Sequence, residues 1–521
     1  MADIGLWHGS PCWAELLRGE GVQFVTEAAG AKELPKLLVL DSALGRNDSA
    51  IIRRHIESGN ALLSSAEHAA ELFPELRLKK IRLRYIEPDG SLLFRNTGLI
   101  MLDSVGHCPD DDSGFESYGK VNGRYPAVLN VTLAGGNVIL LPFELSELFS
   151  RTHSTLRQFY APLPRLPFER VAAVDRGGVR RLVVNCLKSL LFRLGLPYIR
   201  LSYVPGAAAS VFGFRVDTDE TDAAGIDTCL QIAQKAGFSF TWFIHTGALP
   251  AGADVLARLI SARQDVQLHC AEHRLTGRYA TDLANFRMGL NHLHSAGVEP
   301  CGVAAPYGIW SPSIAQLYEN LGFVYSSEFG YSWDTIPSRP VIQGRLHPVL
   351  QIPVHPVSLG SLFRAKATAT RIISYFRRQA SLQLARMEPC FLYDHPSQMN
   401  RQPALVGDLL LAVTRVIPTT ITMTDYARWW LQRERLRLSV STADRTVAID
   451  LNQPADNVWI VIEQSDRFAL APAESQRLEL ELLSWNSVRA VPFDPATLAV
   501  LRPRLRAGIQ ELIRKLQRGY W

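Results

Sequence analysis

The chain has 521 residues, 47% of them apolar and 20% charged, with a formal net charge of +5. That length exceeds what one core supports, at roughly 100–200 residues per domain, and the balance of residues excludes a disordered chain. So small a charge excludes a strongly basic nucleic-acid binder, and no nucleic-acid partner is expected. Seven scattered cysteines form no C-x-x-C pair and leave one over, which speaks against a disulfide framework and for a reducing compartment. The start MADIGLWHGSPCW has no basic region followed by an apolar run, and no segment holds 18 uninterrupted apolar residues. The expectation is a cytoplasmic protein without a signal peptide or membrane span.

Residues 1–150 alternate strand and helix patterns. KLLVLDS (36–42) is a continuous apolar run, as buried parallel strands read. DSAIIRRHIESG (48–59) puts Ile51, Ile52 and Ile56 on one helical face, with Asp48 near its start and Gly59 at its end, and NALLSS (60–65) is a second strand. Together they predict a βαβ unit. IRLRYIEPDGSLLF carries an Asp89-Gly90 turn between two runs, a hairpin signal repeated around Gly135-Gly136 in YPAVLNVTLAGGNVILLPF. This unit resembles the flavodoxin-like, glutamine-amidotransferase-like domains appended to many sugar-active enzymes. It has no G-x-S-x-G elbow or cysteine equivalent, so a non-catalytic role is expected. The acidic PDDD (109–112) reads as a solvated loop.

Residues 151–205 read as a connector. VRRLVVNCLKSLLFRLGLP (179–197) is an amphipathic helix ended by Gly195 and Pro197, with Leu182, Val183, Cys186, Leu187, Leu190, Leu191 and Leu194 in one stripe. It reads first as a helix packed between domains and alternatively as a peripheral contact with an anionic membrane, such as the inner membrane surface. The basic C-terminal LRPRLRAGIQELIRKLQRGYW invites the same two readings. Residues 206–432 alternate again, and from 433 short runs (RLRLSV, RTVAIDL, NVWIVIE, RLELELL) predict a small β-domain closed by that basic helix.

The chemistry is concentrated in 206–432. In SVFGFRVDTDETD (210–222) an apolar strand runs into Asp217 and Asp219, with Arg215 on the same side two residues earlier. Carboxylates at the carboxyl end of such a strand stand where α/β proteins build sites, although the pair could equally cap a following helix. In DVQLHCAEHR, His269 and His273 are four apart after the apolar Leu268. Two imidazoles so spaced can share one ion, and with one carboxylate they make a hydrolytic zinc set. Cys270 and Glu272 point elsewhere and are given no ligand role. An isolated H-x-x-x-H is weak. Three further pieces follow in order: GVAAPYGIW (302–310), LQIPVHP (350–356) and CFLYDHPSQ (390–398), which puts His395 at the end of an apolar run.

In this order the segments resemble the polysaccharide deacetylases of carbohydrate esterase family 4, the NodB-homology domain, whose fold is an irregular (β/α) barrel. The resemblance runs from about residue 210 to 430, two fifths of the chain, ending in TMTDYARWW (422–430). It implies Asp217 as general base, Asp219, His269 and His273 as ligands of a divalent metal, zinc first, and His395 as general acid. Pro306, Tyr307 and Gly308 match the motif R-x-P-Y-G, in which a backbone N–H near Tyr307 stabilises the oxyanion. Two departures stand out. The arginine of that motif is Ala304 here, and Arg215 is the candidate to supply its charge to Asp217. The Asp-rich fourth motif is replaced by YSSEFGYSW, offering Glu328 and Trp333. The implied activity is removal of an N-acetyl group from an amino sugar of a polysaccharide or its precursor. Hydrolysis of a formamide or cyclic imide, and a silent glycan-binding module, remain alternatives.

Overall fold

A nine-stranded sheet begins the computed structural model, which describes residues 3–109, 115–219, 223–249, 254–443 and 446–501. Five of its strands are parallel and lie in the spatial order Phe24–Val25, Ile4–Leu6, Leu37–Leu40, Ala61–Ser65, Gly136–Leu141. Second, first, third, fourth, fifth is an order of open doubly wound sheets. Beyond Gly136–Leu141 the sheet turns antiparallel, through Tyr125–Leu133, Glu116–Val121, Leu78–Glu87 and Ile100–Pro109.

Local chemistry explains most of these elements. Between Tyr125–Leu133 and Gly136–Leu141, Ala134 and Gly135 both take positive φ, 47° and 97°, as a two-residue hairpin turn requires. The Asp89-Gly90 hairpin is looser than its sequence suggests. SLLF does not continue as a strand; Leu92–Phe94 is a 3-10 turn burying Leu93 and Phe94, and pairing resumes only at Ile100. In the helix Arg46–Glu57, Ile52 and Ile56 are fully buried but Ile51 is 43% exposed, because a neighbour at i+1 stands about 100° round the helix.

The connector is not a separate stretch of chain. Ser154–Gln158 and Phe168–Ala172 form an antiparallel pair. The helix Arg176–Arg193 lies within the N-terminal core, with Val179, Leu182, Val183, Cys186, Leu187 and Leu190 all at 0% exposure. Its basic face is covered too, since Arg180 and Arg181 are buried and paired with Glu20 and Glu388. This helix therefore presents no apolar face for a membrane, because tertiary packing has claimed it. The other basic segment, 502–521, lies outside the described residues, as do Asp110–Asp112 of the acidic loop and Glu220 and Asp222. Among the described residues, no helix is long and apolar enough to cross a membrane.

A second sheet of seven parallel strands curls into most of a barrel. Its order is Leu350–Gln351, Tyr325–Ser326, Gly302–Val303, Asp265–Cys270, Thr241–His245, Phe212–Asp217, Cys390–Asp394. The segment after Leu350–Gln351 reaches the other edge through His355 N–H, which donates to Phe391 O at 2.8 Å, and Pro356 O, which accepts from the Tyr393 hydroxyl at 3.2 Å. Strand alternation sorts the side chains: Phe214, Val216, Trp242, Ile244, Leu268 and Cys270 pack outward under the helices, while Phe243, Ala304, Tyr325 and Tyr393 share an inner cluster.

The C-terminal β region is two small sheets, and one of them borrows from upstream. Tyr198–Leu201, inside the predicted connector, pairs with Trp459–Gln464 beside Arg467–Pro472 and Asn486–Ser487. Leu438–Ala443, Thr446–Leu451 and Gln476–Glu479 form the other. The run RLELELL is strand only to Glu479 and then a 3-10 turn that leaves Leu482 79% exposed.

Candidate metal centre

Three barrel strands deliver the polar groups of the site at their carboxyl ends. Phe212–Asp217 ends at Asp217, with Asp219 two residues on; Asp265–Cys270 carries His269, with His273 in the loop after it; Cys390–Asp394 is followed by His395. The pair at 269 and 273 thus straddles a strand end and is not helical. Cys270 is fully buried beneath the helices, and Glu272 is exposed.

Asp219, His269 and His273 each offer a donor atom, and the three atoms lie within 4.8 Å of one another. Asp219 Oδ1 is 3.2 Å from His269 Nε2 and 2.9 Å from His273 Nε2, and the two nitrogens are 3.1 Å apart. His269 Nδ1 is 2.6 Å from the carbonyl oxygen of Ala304. A carbonyl only accepts, so Nδ1 carries the proton and the lone pair of Nε2 faces Asp219. Lone pairs of two imidazoles and a carboxylate this close repel unless a cation or protons lie between them. The donor set fits a divalent ion of the zinc type, two imidazoles and one carboxylate with open positions.

Asp217 is held by Arg215 on its own strand. Arg215 Nε donates to Asp217 Oδ1 and Nη2 to Oδ2, both at 2.6 Å. The guanidinium also donates to the Ser327 carbonyl at 2.5 Å and stacks over Phe243 and Tyr393, 4.7 Å and 5.6 Å from their centroids. Burial works against the Arg215 charge, but Asp217 outweighs it and holds the guanidinium above its ordinary value. Ala304 belongs to the same inner cluster as Phe243 and Tyr393.

His395 Nε2 lies 3.5 Å from Asp219 Oδ2, on the far side of that carboxylate from the two imidazoles. Burial would lower its pKa, but Asp219, then Asp394 and Asp217, push it up to about 9. Burial would likewise raise Asp219, but His395, His269 and His273 hold it well below the usual carboxylate range.

The remaining predicted residues divide. Tyr307 meets the His273 ring edge-on at 4.7 Å and takes φ 60°, inside the 3-10 turn Pro306–Gly308. Within that turn the Gly308 N–H is spent on Ala305 O at 3.0 Å. Gly308 also has φ +60°, and a Cβ there would fall 2.4 Å from Phe329. Glu328 belongs to the frame: fully buried, it accepts from Ala305 N–H at 3.0 Å and Tyr318 O–H at 3.1 Å, and burial raises its pKa. Trp333 packs edge-on against Phe159 at 6.4 Å.

Two residues went unread in the sequence. His245, at the end of Thr241–His245, has Nδ1 2.8 Å from the Asp219 carbonyl and its ring 5.5 Å from that of His273. Burial lowers its pKa from the ordinary imidazole value. Its position at a strand's carboxyl end was the available signal. Asp394 accepts from His395 N–H at 2.8 Å and Leu359 N–H at 2.6 Å, with Oδ1 3.7 Å from His395 Nδ1, and so fixes the loop that carries His395.

No family model and no curated protein matches the chain. Among solved structures, a candidate polysaccharide deacetylase from Mycobacterium smegmatis is similar over 46% of this chain and 96% of its own, at 16% identity and a TM-score of 0.39. Puue allantoinase is similar over 43% and 91%, at 16% identity and a TM-score of 0.37. A CE4 family pseudoenzyme from Bacillus anthracis is similar over 42% and 65%, at 10% identity and a TM-score of 0.30. Over less than half its length, this chain resembles polysaccharide deacetylases and other CE4 family members of known structure.

Proposed function

We propose that the chain is a metal-dependent hydrolase that removes an acetyl or related acyl group from the nitrogen of an amino sugar, in a polysaccharide or its precursor. One observation carries the proposal. Asp219, His269 and His273 converge within 4.8 Å at the carboxyl ends of barrel strands, with an arginine-held carboxylate and His395 beside them.

A divalent cation on Asp219, His269 and His273 would supply Lewis acidity toward water and the amide carbonyl. Asp217 takes the proton of the attacking water. Arg215 uses one lone pair on each of its oxygens, which leaves others free to accept. As the water oxygen bonds to the carbonyl carbon and the carbon–nitrogen bond breaks, His395 gives its proton to the departing amine. Asp394 steadies His395 from behind, and Tyr307 walls the site beside His273. The products are the carboxylic acid and a free amino sugar.

The test is metal analysis of the purified full chain, together with acetate release from N-acetylglucosamine oligomers and nucleotide-linked N-acetyl sugars. Stoichiometric metal and turnover abolished by Asp217→Asn are expected. A chain without bound metal, whose Asp217→Asn variant matches it on every acetylated sugar, overturns the proposal. Formate release or imide opening in place of acetate release would move the substrate to the alternative C–N hydrolase reading.

A further inference from the structure

A cavity of about 760 Å³ lies away from the metal centre. It opens where the helix Arg176–Arg193, the amino end of the barrel and the C-terminal four-stranded sheet meet. Ala207 and Ala209 precede the strand Phe212–Asp217, and Glu388 precedes Cys390–Asp394. Asp217 and His395 lie at the opposite ends of those strands, so the strand length separates the two places by roughly 20 Å at about 3.3 Å per residue.

Its wall is strongly cationic. Arg180, Arg181, Lys188 and Arg200 line it and share three carboxylates: Glu388 and Glu463 on the wall and Glu20 behind it. Arg95, Arg193, Arg386 and Arg489 line it as well, and among the described residues none of these four makes a direct ion pair with a carboxylate. Their hydrogen bonds go to neutral partners: Arg95 to Ser465 O at 3.3 Å, Arg193 to Asn130 Oδ1 at 2.6 Å, and Arg386 Nε to Asn96 O at 2.9 Å, while Glu116 acts on Arg193 and Glu388, Asp334 and Asp175 act on Arg386 from further off. Arg489 is exposed. Burial first, and then the neighbouring Arg181, push the Arg386 guanidinium down to about 10.

Like charges gathered in a concave, low-dielectric wall repel one another and concentrate counter-anions. Guanidinium forks match phosphate oxygens two at a time. The wall also carries apolar side chains, among them Leu92, Val184, Phe192 and Leu470, interleaved with polar ones such as Asn96, Asn185 and Ser189, and the volume is that of a site for a small organic ligand.

We propose that this cavity is a binding site, separate from the metal centre, for a small organic diphosphate, with the four unpaired arginines engaging the phosphates and the apolar wall taking the organic part. A ligand there would touch the helix Arg176–Arg193, the amino end of the barrel and the C-terminal sheet, and binding only the folded chain would stabilise it.

Thermal unfolding and calorimetric titration of the full chain test this with ADP, inorganic pyrophosphate, inorganic phosphate and adenosine, at fixed ionic strength and with EDTA present. ADP and pyrophosphate should raise the melting temperature saturably, with phosphate and adenosine at least about tenfold weaker. Arg193→Gln with Arg489→Gln, both at exposed positions, should weaken ADP by about tenfold or more. His269→Ala should leave ADP binding intact, which separates this site from the catalytic reading. The proposal falls if neither ADP nor pyrophosphate gives a saturable response, if inorganic phosphate matches them, or if His269→Ala abolishes ADP binding. Should the double variant misfold by circular dichroism, Arg95→Gln replaces it, and undiminished ADP affinity in the folded variant overturns the proposal.

Discussion

Arg215 grips Asp217 from two residues away on the same strand, through two parallel hydrogen bonds of 2.6 Å. Successive side chains on a strand face opposite ways, so residues i and i+2 share the barrel interior. The sequence places Ala304 where the resemblance calls for an arginine, and the cation that meets Asp217 comes from the same strand as Asp217.

Loss of that grip should be visible in turnover. Arg215→Ala should lower kcat by about a hundredfold, the scale for a misplaced reacting group, and should lower the melting temperature by leaving Asp217 buried and unpaired. Adding Ala304→Arg to that variant should return part of both, since Ala304 lies in the cluster formed by the rings that flank the guanidinium. Steady-state kinetics of the single and double variants decide it; a double variant no better than the single would show that residue 304 cannot reach the base.

Stripping metal should abolish acyl release, and adding back zinc should restore it. His269→Ala should remove stoichiometric metal while leaving the circular dichroism spectrum unchanged. Elemental analysis of both proteins is the measurement.

Asp394→Asn removes the charge behind His395 but keeps its shape. Because Asp394 is one of the groups that raise His395 toward about 9, the basic limb of the pH–kcat profile should move to lower pH. kcat should fall by about tenfold with KM little changed. Full pH profiles of both proteins check this. An unmoved limb would assign Asp394 to loop structure alone.

Glu20 sits in a buried charge network that Arg180 extends to Glu388 before the barrel strand Cys390–Asp394. It is fully buried, pairs with Arg180 and accepts from the Tyr198 hydroxyl at 2.9 Å. Burial would raise its pKa, but Arg180 and Tyr203 hold it below the ordinary 4.5. A carboxyl depressed in the folded state stabilises above its unfolded pKa and loses that contribution as pH falls through the folded value. Glu20→Gln should therefore cost on the order of 3–5 kcal/mol at neutral pH. The gap from the parent should narrow below about pH 4.5. Urea unfolding at pH 7 and pH 4 measures it.

Much of the candidate site was legible because its residues sit at the ends of apolar strands. His269, His273, Asp217, Asp219 and His395 each follow a run that must be buried, and spacing along the chain reveals that directly. His245 ends such a run as well, but a lone strand-end histidine has no partner in sequence, and its partner is a backbone carbonyl 26 residues away. Glu328, from its order in the chain, stood as a candidate to bind substrate or orient Asp217. Only its burial among Ala305, Tyr318 and Gln351 shows it supporting the frame.

By itself, the sequence determined the alternation of strands and helices, the order of the chemical segments and the absence of an arginine at 304. These depend on local periodicity and residue identity, which need no partner to be read. The tertiary structure alone decided three things: which charge meets Asp217, where the helix Arg176–Arg193 spends its arginines, and that Tyr198–Leu201 pairs with Trp459–Gln464 some 260 residues later. Each depends on groups brought together across long loops, and nothing in the local pattern of either partner specifies the other.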